Sequence, residues 1–498
     1  MLDNHVLSPD LEEWRLRMRS EAVDFGLDFF EVIFEMVDYD EMNMVAAYGG
    51  FPTRYPHWRF GMQFEELQKQ YSYGLAKIYE LVINNDPCYA YLMRCNPLVD
   101  QKLVMAHVYG HSDFFKNNYW FSKTNRKMVD AMANHAVRVR RYIDTYGKDE
   151  VEEFIDVCLS LENLIDIHSS YFGRRTVQDE ETIEEKRLAA QGTRFPTKPF
   201  MEAFVNPPEV LDLERNEIIA KLDRSEKFPT EPEADVLSFL LHNAPLRKWQ
   251  RDIISIIRKE AYYFAPQGMT KIMNEGWASY WHSKIMTTRA LDASEIIDYA
   301  DHHSGTLGTR PGVVNPYKVG IELFRDIEDR WNKGCFGREY EDCTDLLAKR
   351  TWDRKLGLGR EKIFEVRKIY NDVTFIDEFL TQEFCENNNL FTYRFDRQQS
   401  QYVIESREFQ KIKAQFLDSL SNLGRPQIRI DDGNFKNRSE LHLTHEYSGT
   451  PLRFDFAQAT LENLYKIWTR PVHLESQIDG KRKLISYNGT RHDEKTLG

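Results

Sequence analysis

Through the first 172 residues apolar positions recur mostly at three- and four-residue intervals. EEWRLRMRSEAVDFGLDFFEVIFEMV, QFEELQKQYSYGLAKIYELVI, TNRKMVDAMANHAVRVRRYIDTYG and VEEFIDVCLSLENLIDIHSSYF each carry an apolar stripe at helical spacing, which predicts amphipathic helices. YGGFPTRYP and NNDP punctuate them as turns. From Arg174 to about Glu233 the periodicity gives way to charged, proline-bearing text, which predicts an insertion or mobile connector. Helical spacing returns in DVLSFLLHNAPLRKWQRDIISIIRKEAYYF, TKIMNEGWASYWHSKIMTTRAL and KVGIELFRDIEDRWNKG, with the turn-rich DHHSGTLGTRPGVVNPY between the last two. After about Asn389 the period shortens toward two, and LFTYRF, QYVIES, PQIRI, ELHLTHEY, PLRFDF and RKLISYNG read as strands around two helical stretches.

The expected fold class is mainly α with a smaller α+β C-terminal domain. Its parts are a helical core over 11–345 that contains the 174–233 connector, a helical connector over 346–390, and the α+β domain over 391–498.

Composition narrows the function classes. A chain of 498 residues with 42% hydrophobic content can bury one large core or a few smaller ones. A net charge of -13 argues against a general phosphate-backbone footprint, so no nucleic-acid partner is expected. No apolar run is long enough to span a bilayer, and MLDNHVLSPDLEEW lacks the basic start and apolar stretch of a signal peptide, so the expected location is cytoplasmic. Six cysteines without a C-x-x-C pair fit free thiols in a reducing compartment.

Chemistry enters with DQKLVMAHVYGHSDFFKNN. Residues four apart on a helix lie one above the other, so His107 and His111 share a face, together with Leu103, Gly110 and Phe114. Such a pair either holds a metal or is a pair of buried imidazoles satisfied by hydrogen bonds. Fourteen histidines among 498 residues give about 0.4 chance pairs at this spacing. A second constellation is IMNEGWASYWH, where Glu275, Ser279, His282 and Met286 fall along one helical stripe. Two helical histidines plus a glutamate from a later helix form the ligand set of one large zincin group, with water in the fourth position. Two histidines and one carboxylate also suit iron or manganese. The bland alternative pairs Glu275 with a cation, and Trp277, Tyr280 and Trp281 read as core aromatics.

HVYGHSDFF, YYFAPQ, IMNEGWASYWH and HHSGTLGTRPGVVNPYKVGIELFRDIEDRWNKG resemble the stage V sporulation protein R (SpoVR) family, from about residue 11 through 345 and more weakly to the C-terminus. The resemblance implies an association with spore cortex formation and sporulation or, outside spore-formers, with stationary phase and stress response. It also implies a serine kinase and a von Willebrand-type protein as partners. A more distant similarity links the histidine helix to zinc carboxypeptidases with H-E-x-G-H, and EGWA to a bacterial zincin-like family. On that similarity His107, His111 and Glu275 match the metal ligands, Zn2+ is the expected ion, and the core is zincin-like. The departure is Val108, which stands where such families carry their glutamate base.

A positioned base typically contributes roughly 10²- to 10⁴-fold, so the function of such a site without one turns on other groups. Asp113, His168, His282, Asp301, His302 and His303 are candidates, with His282 favoured because it follows Glu275 on one stripe. His302 and His303 lie in a glycine-rich segment expected to close over a substrate or to serve as a turn, and Arg310 is expected to receive a substrate carboxylate or to pair with Asp301. Two function classes follow: a metal-dependent hydrolase, an amidase or peptidase on a cell-wall-related or peptide substrate, and a non-catalytic regulatory protein on a degenerate zincin-like scaffold acting with the kinase system. HLTHEY in the C-terminal domain reads as an alternating strand rather than a ligand pair.

Overall fold

The structure is a computed structural model that describes residues 5–72, 80–172, 207, 227–396 and 400–497. Most of the connector expected over 174–233 lies outside the described residues. The chain forms two compact units, Met1–Gly147 with Tyr262–Gly424, and Lys148–Ala261 with Arg425–Gly498.

The first unit begins with helix α1 (Pro9–Asp24), which Ser8 caps and Pro9 starts. Gly26 then adopts a left-handed φ of 79°, which ends the helical path. The following DFFEVIFEMV, expected to continue as helix, instead supplies strand β1 (Val32–Val37). With β2 (Glu80–Ile83) and β3 (Cys88–Met93) it forms a three-stranded sheet in which β3 is central, parallel to β1 and antiparallel to β2. The apolar residues of β3 are buried on both faces, so their sequence shows no alternation to mark a strand.

Helix α2 (Leu98–Asn117) is buried along nearly its whole length. Such a helix must satisfy every polar side chain inside the protein. For several of them the partners come from widely separated segments. Gln101 Nε2 donates to Met93 O at 2.7 Å, Lys102 Nζ meets Glu295 at 2.9 Å, and Asp113 accepts from Trp277 Nε1 and the Asp28 backbone N–H, both at 2.8 Å. Asp113, a candidate base by sequence, is thus spent as a fastener, and Arg367 stands 3.3 Å away as its counter-ion.

Helix α3 (Lys271–Ile285) carries Glu275, and a π-helical turn at Met286–Ala290 follows it. Next come α4 (Ile296–Thr306), α5 (Pro316–Lys333), α6 (Gly359–Ile369) and α7 (Asp372–Phe379). A hairpin of β4 (Thr392–Asp396) and β5 (Gln401–Ser406) and helix α8 (Phe409–Leu420) complete the unit. The segment expected as a glycine-rich turn through His302 and His303 therefore lies partly in α4, which follows a short 3-10 turn, Ala293–Glu295, opened by a reciprocal cap between Asp292 and Glu295. The core gathers Met105, Val108 and Phe114 from α2, Trp277 and Trp281 from α3, and Ile321 and Phe324 from α5. Ile363, Phe375 and Ile412 join the same core, so the stretches expected as a 346–390 connector and as the start of a C-terminal domain at 391 pack with the first unit.

The second unit contains helices Lys148–Ser160 and Val236–Asn243 and a five-stranded sheet ordered β10-β9-β8-β7-β6. The strands are β6 (Gln427–Phe435), β7 (Glu440–Glu446), β8 (Val472–Ile478), β9 (Lys481–Tyr487) and β10 (His492–Thr496). Helix α9 (Phe454–Trp468) joins β7 to β8, which are parallel, as such a crossover requires. PLRFDF, expected as a strand, is instead a short loop and the first turn of α9, whose apolar positions Ala457, Leu461, Leu464 and Trp468 continue at helical spacing. The fold is mainly α with a C-terminal α+β portion. No helix among the described residues is long and apolar enough to cross a membrane.

Candidate metal centre

Two helix contacts bring the sequence-distant residues together. Gly110 on α2 faces Ala278 on α3 so closely that a Cβ at Gly110 would lie 2.7 Å from the Ala278 Cα. On the other side of α3, a Cβ on Gly276 would stand 2.4 Å from the backbone of Gly320 on α5. Helix α3 is thus pressed between α2 and α5 at distances only glycine permits.

This close packing turns Glu275 toward the histidine pair. Its Oε2 lies 3.4 Å from His111 Nε2 and 3.6 Å from His107 Nε2, and the three donor atoms fall within 4.8 Å of one another. Donors around a four-coordinate ion with bonds of roughly 2.0–2.2 Å stand about 3.3–3.6 Å apart. Both Glu275 distances fit that tetrahedral edge. The two imidazole rings are nearly perpendicular, with centroids 4.5 Å apart.

The neighbours fix the tautomers. His111 Nδ1 donates to Asn274 Oδ1 at 2.9 Å, which leaves the Nε2 lone pair directed at the carboxylate. His107 Nδ1 lies 2.8 Å from His282 Nδ1. With His107 Nε2 as a metal ligand, its proton would sit on Nδ1 and be donated to His282, whose own proton would then sit on Nε2, 3.2 Å from His303 Nδ1. Glu275 Oε2 is inaccessible to solvent and forms no hydrogen bond. Three donor atoms from three groups thus face one point, an arrangement able to hold a cation. The residues fit a divalent transition metal, and the mixed nitrogen and oxygen donors suit zinc, iron or manganese.

Burial opposes the ionisation of Glu275, but with no ion bound and the imidazoles protonated, the positive charge of His111 and His107 outweighs it and holds the carboxyl below its usual range. Burial, then the neighbouring His107 and His303, holds His282 well below the ordinary imidazole range, which keeps it a neutral acceptor. Both histidines are almost fully buried, whereas 18% of the Glu275 side chain stays accessible.

The remaining sequence candidates take different places. His282 touches His107 rather than standing beside Glu275, which makes it a positioning partner of a ligand. His303 continues that contact and stacks on Tyr299. His302 pairs with the buried Asp100 at the start of α2. Arg310 is exposed, and its backbone bridges to Val313; it forms no ion pair with Asp301. His168 belongs to the second unit. Val108 has no accessible surface and packs in the apolar core, so the usual base position contributes packing alone. Asn274, which orients His111, and Tyr317, whose ring stacks 6.3 Å from His107, carry no sequence signal of their own. Asn274 could have been found only by asking what fixes the tautomer of His111.

Comparison with known proteins gives a consistent result. The family model described as SpoVR like protein matches residues 6–425, and the SpoVR-like C-terminal domain matches 426–479. The uncharacterized protein YcgB of Escherichia coli (strain K12) is 30% identical over 493 residues, which covers 93% of this chain and 91% of that protein. No solved structure gives a significant match.

Proposed function

The chain belongs to the SpoVR-like protein family, and from that premise we propose that it is a metal-dependent hydrolase, an amidase or peptidase acting on a peptide or cell-wall-related substrate. His107, His111 and Glu275 hold the ion. The observation that supports this reading is the spacing of the Glu275 oxygen from two imidazole nitrogens, 3.4 and 3.6 Å, around a point with no competing hydrogen-bond donor at Oε2. When bound, such a cation supplies Lewis acidity toward a carbonyl oxygen and toward water. The chain supplies the rest. Asn274 and His282 fix the ligand tautomers, Tyr317 walls the His107 side, and the glycine contacts keep the helices at ligand distance. Association with sporulation or stationary-phase stress is carried by family kinship.

A non-catalytic role in regulation, alongside a serine kinase system, is the second reading. The observation that favours it is Val108, buried in the core at the position where related chemistry keeps a base.

Elemental analysis of protein purified without a histidine tag tests the first reading. Close to one transition-metal ion per chain is expected, lost in a folded His107→Ala/His111→Ala double variant. Folded wild-type protein that carries no metal and takes none up would remove it. Hydrolysis of peptide and amide libraries by the metal-loaded protein, abolished in the double variant, then separates the catalytic reading from the regulatory one.

A further inference from the structure

A cleft of about 550 Å³ in the first unit lies between the Thr309–Val319 segment, the Asn388–Tyr393 segment and helix α8. That volume is within the range of small-molecule sites. Its lining has an unusual charge pattern. In a chain where 79 of 498 residues are acidic, none of the 19 lining residues is, yet Arg310 and Lys318 are both present. Among the described residues neither cationic head forms a salt bridge or a hydrogen bond. Most other polar groups of the wall are already used within the chain. Thr392 Oγ1 donates to Ser406 O, Tyr393 OH to Asn389 O, Ser419 Oγ to Phe416 O, and Asn315 Nδ2 to Thr306 O and Gly308 O. The polar chemistry left for a ligand is therefore mainly cationic, and the cleft also has apolar lining from Phe391, Ile412 and Phe416.

We propose that this cleft binds a small organic anion, with a carboxylate or phosphate at Arg310 and Lys318 and an apolar body against Phe391, Ile412 and Phe416. Two free cations without a neighbouring acid create a local positive potential on an otherwise acidic surface. A carboxylate or phosphate receives charge-assisted hydrogen bonds there, and the apolar wall selects against bare inorganic ions. The first turn of α5 connects this cleft to the metal centre, because Tyr317 stacks near His107 while the next residue, Lys318, lines the cleft. None of the cleft residues is a metal ligand, so the inference stands apart from the hydrolase reading.

Calorimetric titration of the full chain with N-acetylphenylalanine, its uncharged primary amide and phenyl phosphate tests the assignment. The acid is expected to bind at least about tenfold more tightly than the amide, and R310Q/K318Q to lose at least about tenfold. Both substitutions fall on solvent-accessible side chains, and an unchanged circular dichroism spectrum and melting temperature verify that the variant folds. Stronger binding of phenyl phosphate than of the carboxylate identifies phosphate as the recognised group, and the reverse order identifies carboxylate. Equal binding of acid and amide, wild-type binding by the double variant, or no binding by either anion overturns the proposal. The same titration of His107→Ala/His111→Ala protein separates the two sites: binding that persists belongs to the cleft, and binding that vanishes belongs to the metal centre and overturns the assignment.

Discussion

Buried histidines occur in both units, and their surroundings differ in one decisive respect. In the C-terminal sheet His473 sits on β8 with Nδ1 2.7 Å from Ser486 Oγ on β9 and Nε2 2.8 Å from Glu440 Oε2 on β7. Both ring nitrogens are satisfied by side chains from adjacent strands. His445 Nδ1 likewise meets Ser476 Oγ at 2.9 Å. On α2 and α3, by contrast, His107 and His111 each use Nδ1 on a fixed neighbour and turn Nε2 toward a carboxylate oxygen that has no hydrogen bond. Burial and a neighbouring acid are common to both places. What distinguishes a candidate ligand set is a group of lone pairs left facing one another.

The sharpest way to break this comparison is to remove histidines from each region in turn. Wild-type protein is expected to gain about 4 kcal/mol of stability from zinc at a thousandfold excess over its Kd. The gain should vanish in His107→Ala/His111→Ala protein and persist in His445→Ala/His473→Ala protein. The sheet variant should instead lose about 1–3 kcal/mol whether or not zinc is present, because Glu440 and Ser486 lose their partner. Thermal unfolding with and without zinc measures both, and a zinc shift that depends on the sheet histidines would reverse the assignment.

A second difference is where each region finds its support. The sheet histidines rely on the next strand, whereas the helix carrying Glu275 relies on Asp372, whose Oδ2 and Oδ1 accept the Ile272 and Met273 backbone N–H groups at 2.8 and 2.9 Å. Thr270, at the helix start, makes no such side-chain bond. Asp372→Ala should therefore cost about 2–3 kcal/mol and weaken metal retention. Burial pushes the Asp372 carboxyl up to about 7, against the two N–H donors that favour the ionised form. An unfolded aspartate ionises near 3.9, so between about pH 4 and 7 the folded chain keeps a proton that the unfolded chain has released. The contribution of this group to stability is full below that window and declines as pH rises through it. In chelator-treated protein, the stability of wild type relative to Asp372→Asn should fall over that range, and a flat difference in urea unfolding would mean that the carboxyl ionises normally.

The pairing of His107 with His111 was legible because helical spacing alone puts them on one face, and Glu275 was legible because EGWASYWH places it on an inward stripe. That these two stripes meet was not, since the meeting depends on Gly110 against Ala278 and Gly276 against Gly320, contacts between segments more than 40 residues apart. The same limit hid the roles of Asn274, Asp372 and Tyr317. In the fold, the helical periodicity of α5 and the alternation of β7 were plain, but the sheet of β1 to β3 was not. Its central strand, CYAYLM, is buried on both faces and carries no period of two. PLRFDF misled in the opposite way, because a few alternating residues can also open an amphipathic helix.

The smallest expected effect is the most specific to the helical site. His282 makes no contact with Glu275 among its hydrogen bonds; its Nδ1 lies 2.8 Å from His107 Nδ1 and its Nε2 faces His303. If its part is to hold the His107 tautomer, His282→Leu should weaken metal affinity about 10- to 100-fold by removing the acceptor, while the ligand set itself remains. His282→Gln offers a carbonyl oxygen in its place and should recover part of that loss. A merely structural role predicts a different pattern, in which both substitutions lower the melting temperature alike and leave the affinity of the folded protein unchanged. His473→Leu supplies the counterpart in the sheet, where an equally buried imidazole also contacts a carboxylate. Its loss should lower stability and leave the Kd for zinc where it was, since both nitrogens of that ring already have fixed partners within the chain.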